Sequence, residues 1–201
     1  MFDVEGFILV GGQSSRMGAD KAQLVVNGRR LIEIIAAKMS AVTTSVSLVG
    51  DSRTNRHSTF KNVPDTHPGW GALGGISAAL GACRREWALI VACDLPLVTP
   101  ELFRRLMSFA GDESDAVVPI QPDGRPQPLC ALYRRESCIG ETKRLIEMNE
   151  HTPRALLSAL KTAWIQFAQL EDLRGAADFF LNVNTPADFA EAKRLLEQDG
   201  Q

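Results

Sequence analysis

At 201 residues the chain has room for one sizeable domain and is short for two. Its 45% hydrophobic and 23% charged residues are the balance of a soluble globular protein, and a formal net charge of −2 excludes a surface built to coat nucleic acid. No stretch approaches the ~18 apolar residues of a membrane span. Met1-Phe2-Asp3-Val4-Glu5 also lacks the basic start and apolar core of an export signal, so a cytoplasmic protein with no membrane partner is expected. Cys83, Cys93, Cys130 and Cys138 form no CxxC pair and have no histidine at metal-ligand spacing, which suits reduced, buried thiols.

The first predicted strand covers 5–10, and the apolar run Gly6-Phe7-Ile8-Leu9-Val10 leads straight into Gly11-Gly12-Gln13-Ser14-Ser15-Arg16-Met17-Gly18-Ala19-Asp20-Lys21. Adjacent glycines at a strand exit let bare backbone approach a ligand, and Arg16 and Lys21 add two cations suited to a polyphosphate. The spacing is not Walker A, because Ala19 and Asp20 separate Gly18 from Lys21 and no hydroxyl follows the lysine. Nor is it GxGxxG, since Gly11 and Gly12 are adjacent and Gly18 is the next glycine. Ser14 and Ser15 lie in no GxSxG elbow, so hydrogen bonds to phosphate explain them better than nucleophilic catalysis.

Asn27-Gly28 signals a turn before a helix whose Leu31, Ile34, Ile35 and Met39 share one face. A second strand follows at 45–50. Asp65 comes after Val63-Pro64 and precedes the loop Thr66-His67-Pro68-Gly69-Trp70, from which a helix over 71–83 starts on small residues and carries Leu73, Ile76 and Leu80 as its stripe. Trp70 suits either stacking on a base or pterin, or packing of its own loop. Of the histidines, His57 and His151 read as surface residues, and His67 is the one placed to approach a site.

The strand over 87–93 ends at Cys93-Asp94-Leu95-Pro96. A carboxylate at the carboxyl end of a parallel strand is placed to reach a ligand, and one Asp with phosphate oxygens is enough to anchor Mg²⁺; an Asp there can equally form a plain turn. Beyond it come a helix at 99–109, a strand at 115–119, and the turn-prone Gln121-Pro122-Asp123-Gly124-Arg125-Pro126-Gln127-Pro128, which reads as a loop at the edge of the site. A strand at 129–134, helices at 137–149 and 153–160, and a strand at 162–168 follow. Arg104-Arg105 and Arg134-Arg135 read as solvated ends of these elements. Asn182 and Asn184, two residues apart in an extended segment, project to one side, and the last helix starts with Thr185 as N-cap, Pro186 at its first position and Asp188 three residues on, running over 186–197. The alternation predicts a parallel sheet covered by helices on both faces, in a single domain over 1–201 with no linker or repeat.

The GGxSxRMGxDK loop resembles that of the molybdenum cofactor guanylyltransferases, a branch of the nucleotidyltransferase superfamily. Cys93-Asp94-Leu95-Pro96 is similar to the family's CDxP motif, Asn182, Asn184, Thr185, Pro186 and Asp188 match its NxNTPxD motif, and the likeness runs from Gly6 to about Leu195. It implies a three-layer α/β/α Rossmann-like fold with a mostly parallel sheet. It also implies a cytoplasmic enzyme that transfers GMP from GTP to the terminal phosphate of molybdenum-molybdopterin. The nucleotide would be bound by Leu9, Val10, Gly11, Gly12, Ser14, Lys21, Asp65, Gly71, Gly74 and Asp94, with Arg16, Lys21 and Asp94 catalytic. Asp94 would hold Mg²⁺, and Asn182 and Asn184 the acceptor. Transient contact with a companion GTPase or client molybdoenzymes follows from the same resemblance.

The chain departs from the family pattern at two places. Gly71-Ala72-Leu73-Gly74-Gly75 has Ala72 where GPLxG has proline, and Val49-Gly50 stands where the guanylyltransferase pattern has an asparagine near the base or ribose. Cytidylyl-transferring relatives resemble LAAG where this chain has Leu9-Val10-Gly11-Gly12, so Gly12 favours guanine. A cytidylyltransferase for the same cofactor, a sugar-phosphate nucleotidyltransferase and a non-catalytic cofactor-delivery adaptor are the competing readings.

Overall fold

Beyond Glu5, strand β1 (Val4–Val10) is apolar on both faces, the pattern of a strand with a parallel neighbour on each side and helices above and below. In the computed structural model, which describes residues 3–11, 24–50 and 59–199, it pairs in parallel with β4 (Val46–Gly50) and β6 (Trp87–Ala92). Between β1 and β4 lie the two-residue strands β2 (Val25–Val26) and β3 (Arg29–Arg30), paired as a small hairpin, and helix α1 (Leu31–Ser40). β5 (Lys61–Val63) and α2 (Gly71–Ala82) precede β6. After β6 come α3 (Pro100–Met107), β7 (Ala116–Pro119), β8 (Cys130–Arg134), α4 (Arg135–Glu147), α5 (Pro153–Ala159), β9 (Thr162–Ile165) and α6 (Pro186–Asp199).

The main sheet has the order β5-β4-β1-β6-β8-β7-β9 and is parallel except for β8, which runs against both β6 and β7. The order reverses beside β1: the chain moves outward through β4 and β5, then returns to place β6 on the other side. In an open sheet this switch point opens a crevice at the carboxyl ends of the strands.

Alternate residues of the strands feed two cores. Ile8, Leu48, Leu89 and Val91 pack with Ile32, Ile35 and Met39 of α1 and with Leu102, Phe103 and Leu106 of α3. On the other face Phe7, Ile90, Ala131 and Tyr133 meet Leu73, Ile76 and Leu80 of α2, Cys138 and Leu145 of α4, and Leu156 of α5. Each fully buried Leu, Ile or Phe contributes roughly 1.5–3 kcal/mol relative to exposure. Two cores flanking one sheet make the three layers predicted. Helix α6 instead packs Ala192 against Val26, Leu31 and Val183, closing the hairpin against the start of α1.

The predicted elements are found, with corrections at their ends. The α1 face is Leu31, Ile32, Ile35, Ala36 and Met39; Ile34 is half-buried and packs with the α6 cluster instead. α4 begins at Arg135, not 137. β9 stops at Ile165 rather than 168, because Phe167–Gln169 turn into a 3-10 helix. The hairpin β2–β3 and strand β5 were not predicted. Three helices share one start: Thr99-Pro100, Thr152-Pro153 and Thr185-Pro186. The hydroxyl of Thr99 accepts from the Leu102 amide at 3.2 Å, that of Thr152 from the Ala155 amide at 3.3 Å, and that of Thr185 from the Asp188 amide at 3.2 Å.

Three of the four paired arginines, Arg105, Arg134 and Arg135, are clamps rather than solvated ends. The Arg134 guanidinium lies 4.7 Å from the Trp87 ring centroid, pairs with Glu86 at 2.6 Å and donates to the carbonyl oxygens of Ser114 and Gly111. Arg135 donates to the Cys83 carbonyl oxygen at 2.8 Å. Arg105 binds Asp172 through two hydrogen bonds of 2.9 and 2.7 Å and also donates to the Gln169 carbonyl oxygen, and this guanidinium holds the Asp172 carboxyl below the usual carboxylate range. Arg104, bonded only to Glu101 at 3.0 Å among the described residues, fits the solvated reading. The four cysteines are buried and form no disulfide; burial pushes the Cys83 thiol up to about 11 and that of Cys138 up to about 12.

Candidate functional site

Leu9 is flanked by Val49 of β4 and Ala92 of β6, so the chain leaves β1 at Gly11 and β6 at Asp94 side by side at the switch point. The Cys93 amide donates to the Leu9 carbonyl oxygen at 3.1 Å, extending the pairing to the residue before Asp94. Gly11 is exposed and Asp94 half-buried, as a ligand-facing rim requires. Leu9 and Val10 are buried in the sheet, so only their backbone is available to a nucleotide. Gly12, Ser14, Arg16 and Lys21 lie outside the described residues.

On the β4–β5 side of this point, Asp65 follows the end of β5. Its Oδ1 accepts from the His67 amide at 2.9 Å, an Asx turn that bends the loop toward α2. A Cβ at Gly74 would lie 2.9 Å from the His67 carbonyl oxygen, 3.0 Å from the Trp70 Cβ and 3.4 Å from Asp65 Oδ1. Glycine is therefore what lets the Asp65 loop close on the helix. Gly71 is exposed at the first residue of α2, whose start no side chain caps, so its first backbone N–H groups point out at the carboxyl end of the sheet.

Trp70 resolves in favour of packing: its ring stacks on His151 at 3.9 Å between centroids and 13° between planes, fastening the Asp65 loop to the turn before α5. His151 is thus exposed, as expected, but engaged. His67, half-buried beside Asp65, shares a 3.0 Å contact with the Thr66 hydroxyl. His57 lies outside the described residues.

The missing family asparagine also has a physical explanation. Gly50 pairs with Val10, with φ +152°, and a Cβ there would sit 1.8 Å from the Val10 carbonyl oxygen. No side chain fits at this register.

The Val183 amide donates to the Asp94 carbonyl oxygen at 2.9 Å and its side chain packs with Val26, Leu31 and Ala192, which brings the segment of Asn182 and Asn184 to Asp94 from the side of the hairpin and α6. Asn182 is half-buried and its Nδ2 donates to the Phe180 carbonyl oxygen at 2.9 Å. Asn184 is exposed, and Asp188 Oδ2 accepts from the amides of Asn184 and Thr185 at 3.0 and 2.8 Å. Asp188 is therefore the returning half of a capping box. The loop before β8 reaches the end of β6 separately: the Leu129 carbonyl oxygen accepts from the Ala92 amide at 2.8 Å. One contact had no sequence signal. Lys38, in the last turn of α1, donates to the Pro96 carbonyl oxygen at 2.9 Å and braces the turn that carries Asp94.

The described residues hold no cluster of three or more metal-binding side chains. A carboxylate beside the exit of β1, with the uncapped start of α2 on the far side of that exit, instead suits an ion held together with a phosphate ligand. No described helix is long and apolar enough to cross a membrane.

Known proteins share this fold. The MobA-like NTP transferase domain is matched over residues 6–164. A probable molybdenum cofactor guanylyltransferase of Carboxydothermus hydrogenoformans is 34% identical over 191 residues, covering 94% of each chain. One of Pelotomaculum thermopropionicum is 34% identical over 202 residues, covering 98% of this chain and 95% of its own. The crystal structure of molybdopterin-guanine dinucleotide biosynthesis protein A from Archaeoglobus fulgidus superimposes with a TM-score of 0.82 at 27% identity, over 96% of this chain and 99% of that one. The chain therefore belongs to the MobA-like NTP transferase domain family, and with it to the nucleotidyltransferase enzymes.

Proposed function

We propose that the enzyme transfers the guanylyl group of GTP to the terminal phosphate of molybdenum-molybdopterin, with release of pyrophosphate. The observation that carries this reading is the placement of Gly11 and Asp94 on neighbouring strand ends, with the Asn182–Asn184 segment tied to Asp94 through the Val183 amide. One flank of Asp94 then serves the nucleotide and the other the acceptor. The names of the relatives support guanylate as the donated group and the molybdenum cofactor as the acceptor.

In the reaction an acceptor phosphate oxygen forms a bond to the α-phosphorus of GTP, and the α–β bridging bond breaks to release pyrophosphate. A phosphate monoester is already an anionic nucleophile, so no protein nucleophile is needed. The difficulty is the meeting of two polyanions, which positioning and fixed charge relieve. The backbone at Gly11 and Gly12 and the start of α2 at Gly71 would hold the phosphates, with Asp65 on the nucleoside side. Arg16 and Lys21 would offset charge on the leaving pyrophosphate. The Asp94 carboxylate is a hard ligand suited to Mg²⁺, which would supply charge neutralisation between phosphate oxygens. Asn182 and Asn184 would orient the pterin phosphate.

The test measures pyrophosphate release with GTP, CTP, ATP and UTP, each against molybdenum-molybdopterin and a sugar phosphate. Release with GTP and the pterin alone is the expected result. Preference for CTP or the sugar phosphate replaces the reading with a sister activity, and GTP binding without turnover leaves an adaptor.

A further inference from the structure

Gln127 is 7% exposed, so its carboxamide is withdrawn from bulk water. The Oε1 atom accepts from the Leu129 amide at 3.4 Å, which fixes the orientation of the group because a backbone N–H can be met only by the oxygen. The hydrogens on Nε2 meet no acceptor among the described residues. A buried donor left unmatched is destabilising, and native proteins keep few of them without a use.

Its surroundings hold it rigidly. The Gln127 amide donates to the Pro119 carbonyl oxygen at 2.9 Å, and its own carbonyl oxygen accepts from Cys130 at 3.2 Å. The Tyr133 hydroxyl donates to the next carbonyl oxygen, that of Pro128, at 2.8 Å. Leu129, two residues on, is bonded to the Ala92 amide, two residues before Asp94. Gln127 therefore stands at the carboxyl edge of the sheet on the β8 side of Asp94, across from Gly11. Preorganised donors of this kind are characteristic of ligand sites.

We propose that Gln127 is a specificity-determining residue whose carboxamide donates to a neutral carbonyl oxygen or ring nitrogen of the second substrate, not to the nucleotide. This rests on the proposed function: with the triphosphate at Gly11 on β1, the flank of Asp94 toward β8 that Gln127 lines is left to the acceptor. A neutral amide in buried surroundings matches an uncharged heterocycle, whereas phosphates fall to the backbone at Gly11 and the start of α2.

Gln127→Met keeps the length and removes both donors; Gln127→Glu keeps the shape and replaces the donors with a charged acceptor. Steady-state kinetics with GTP and molybdenum-molybdopterin, together with thermal melts, test the assignment. For Gln127→Met the acceptor KM should rise about tenfold, with the GTP KM within about twofold and the melting temperature within about 4 °C, since relief of the unmatched donors offsets loss of the long bond to the Leu129 amide. Gln127→Glu should weaken the acceptor further. Parallel rises in both KM values, or a lower melting temperature with an unchanged acceptor KM, would make the amide structural and overturn the assignment. If the wild type transfers only to a sugar phosphate, the guanylyltransferase reading fails, and an acceptor KM that Gln127→Met leaves unchanged would sink the assignment separately. Transfer to no acceptor would overturn both.

Discussion

The Val183 amide and the Asp94 carbonyl oxygen, 2.9 Å apart, join the last irregular segment of the chain to the end of a central strand. Asn182 and Asn184 flank that hydrogen bond, so they share the rim with Asp94. Asn184→Ala should raise the acceptor KM about ten- to a hundredfold through loss of a bond to a charged group, and leave the GTP KM within about twofold. Asn182→Ala should do the same and also lower stability by about 1 kcal/mol, because it loses the bond to the Phe180 carbonyl oxygen. Separate titrations of the two substrates check both.

Gly50→Asn restores the residue type of the family pattern, and the structure makes it harmful. Its Cβ would collide with the Val10 carbonyl oxygen one residue before Gly11. A loss of about 3 kcal/mol in a urea midpoint analysis is expected, combining strain and overpacking, with impaired nucleotide binding.

Arg134→Met removes a cation over Trp87 and the pair with Glu86 at the amino-end edge of β1 and β6, away from Asp94. Stability should fall by about 2–3 kcal/mol while kcat/KM of the remaining folded enzyme stays within about twofold.

Alkaline pH should weaken the fold through two thiols. Cys83 and Cys138 are raised from 9.0 to about 11 and about 12, chiefly by desolvation. Below pH 9 both thiols are neutral folded and unfolded, and their contribution is fully present. As pH rises from about 9 the unfolded chain loses these protons first, so stability declines until the folded thiols ionise near 11 and 12. Denaturation midpoints across this range should slope less for the double variant Cys83→Ala, Cys138→Ala.

The layered architecture was legible because long apolar runs and helical stripes mark elements that bury whole faces, as in β1, β6 and α2. The strands of two or three residues, β2, β3 and β5, are too short to show any period. Asp94 and the asparagines were legible as motifs, and topology explains their meeting: β6 ends beside β1, and Val183 docks on it. Trp70 on His151, Lys38 on Pro96 and the buried amide of Gln127 were not legible, since each depends on residues distant in sequence or on where hydrogen bonds end. The Arg134 clamp was hidden similarly, because a charge pattern does not reveal that the Gly111–Ser114 loop folds over it.

The most direct measurement is the Mg²⁺ dependence of pyrophosphate release by Asp94→Asn. Asparagine keeps the shape and the backbone bond to Val183 but removes the charge. The expected result is a folded protein with an unchanged melting temperature and a turnover rate lowered by at least about a hundredfold, recovered poorly at high Mg²⁺. Wild-type rates at ordinary Mg²⁺ would contradict the placement of the triphosphate and its ion between Gly11 and Asp94.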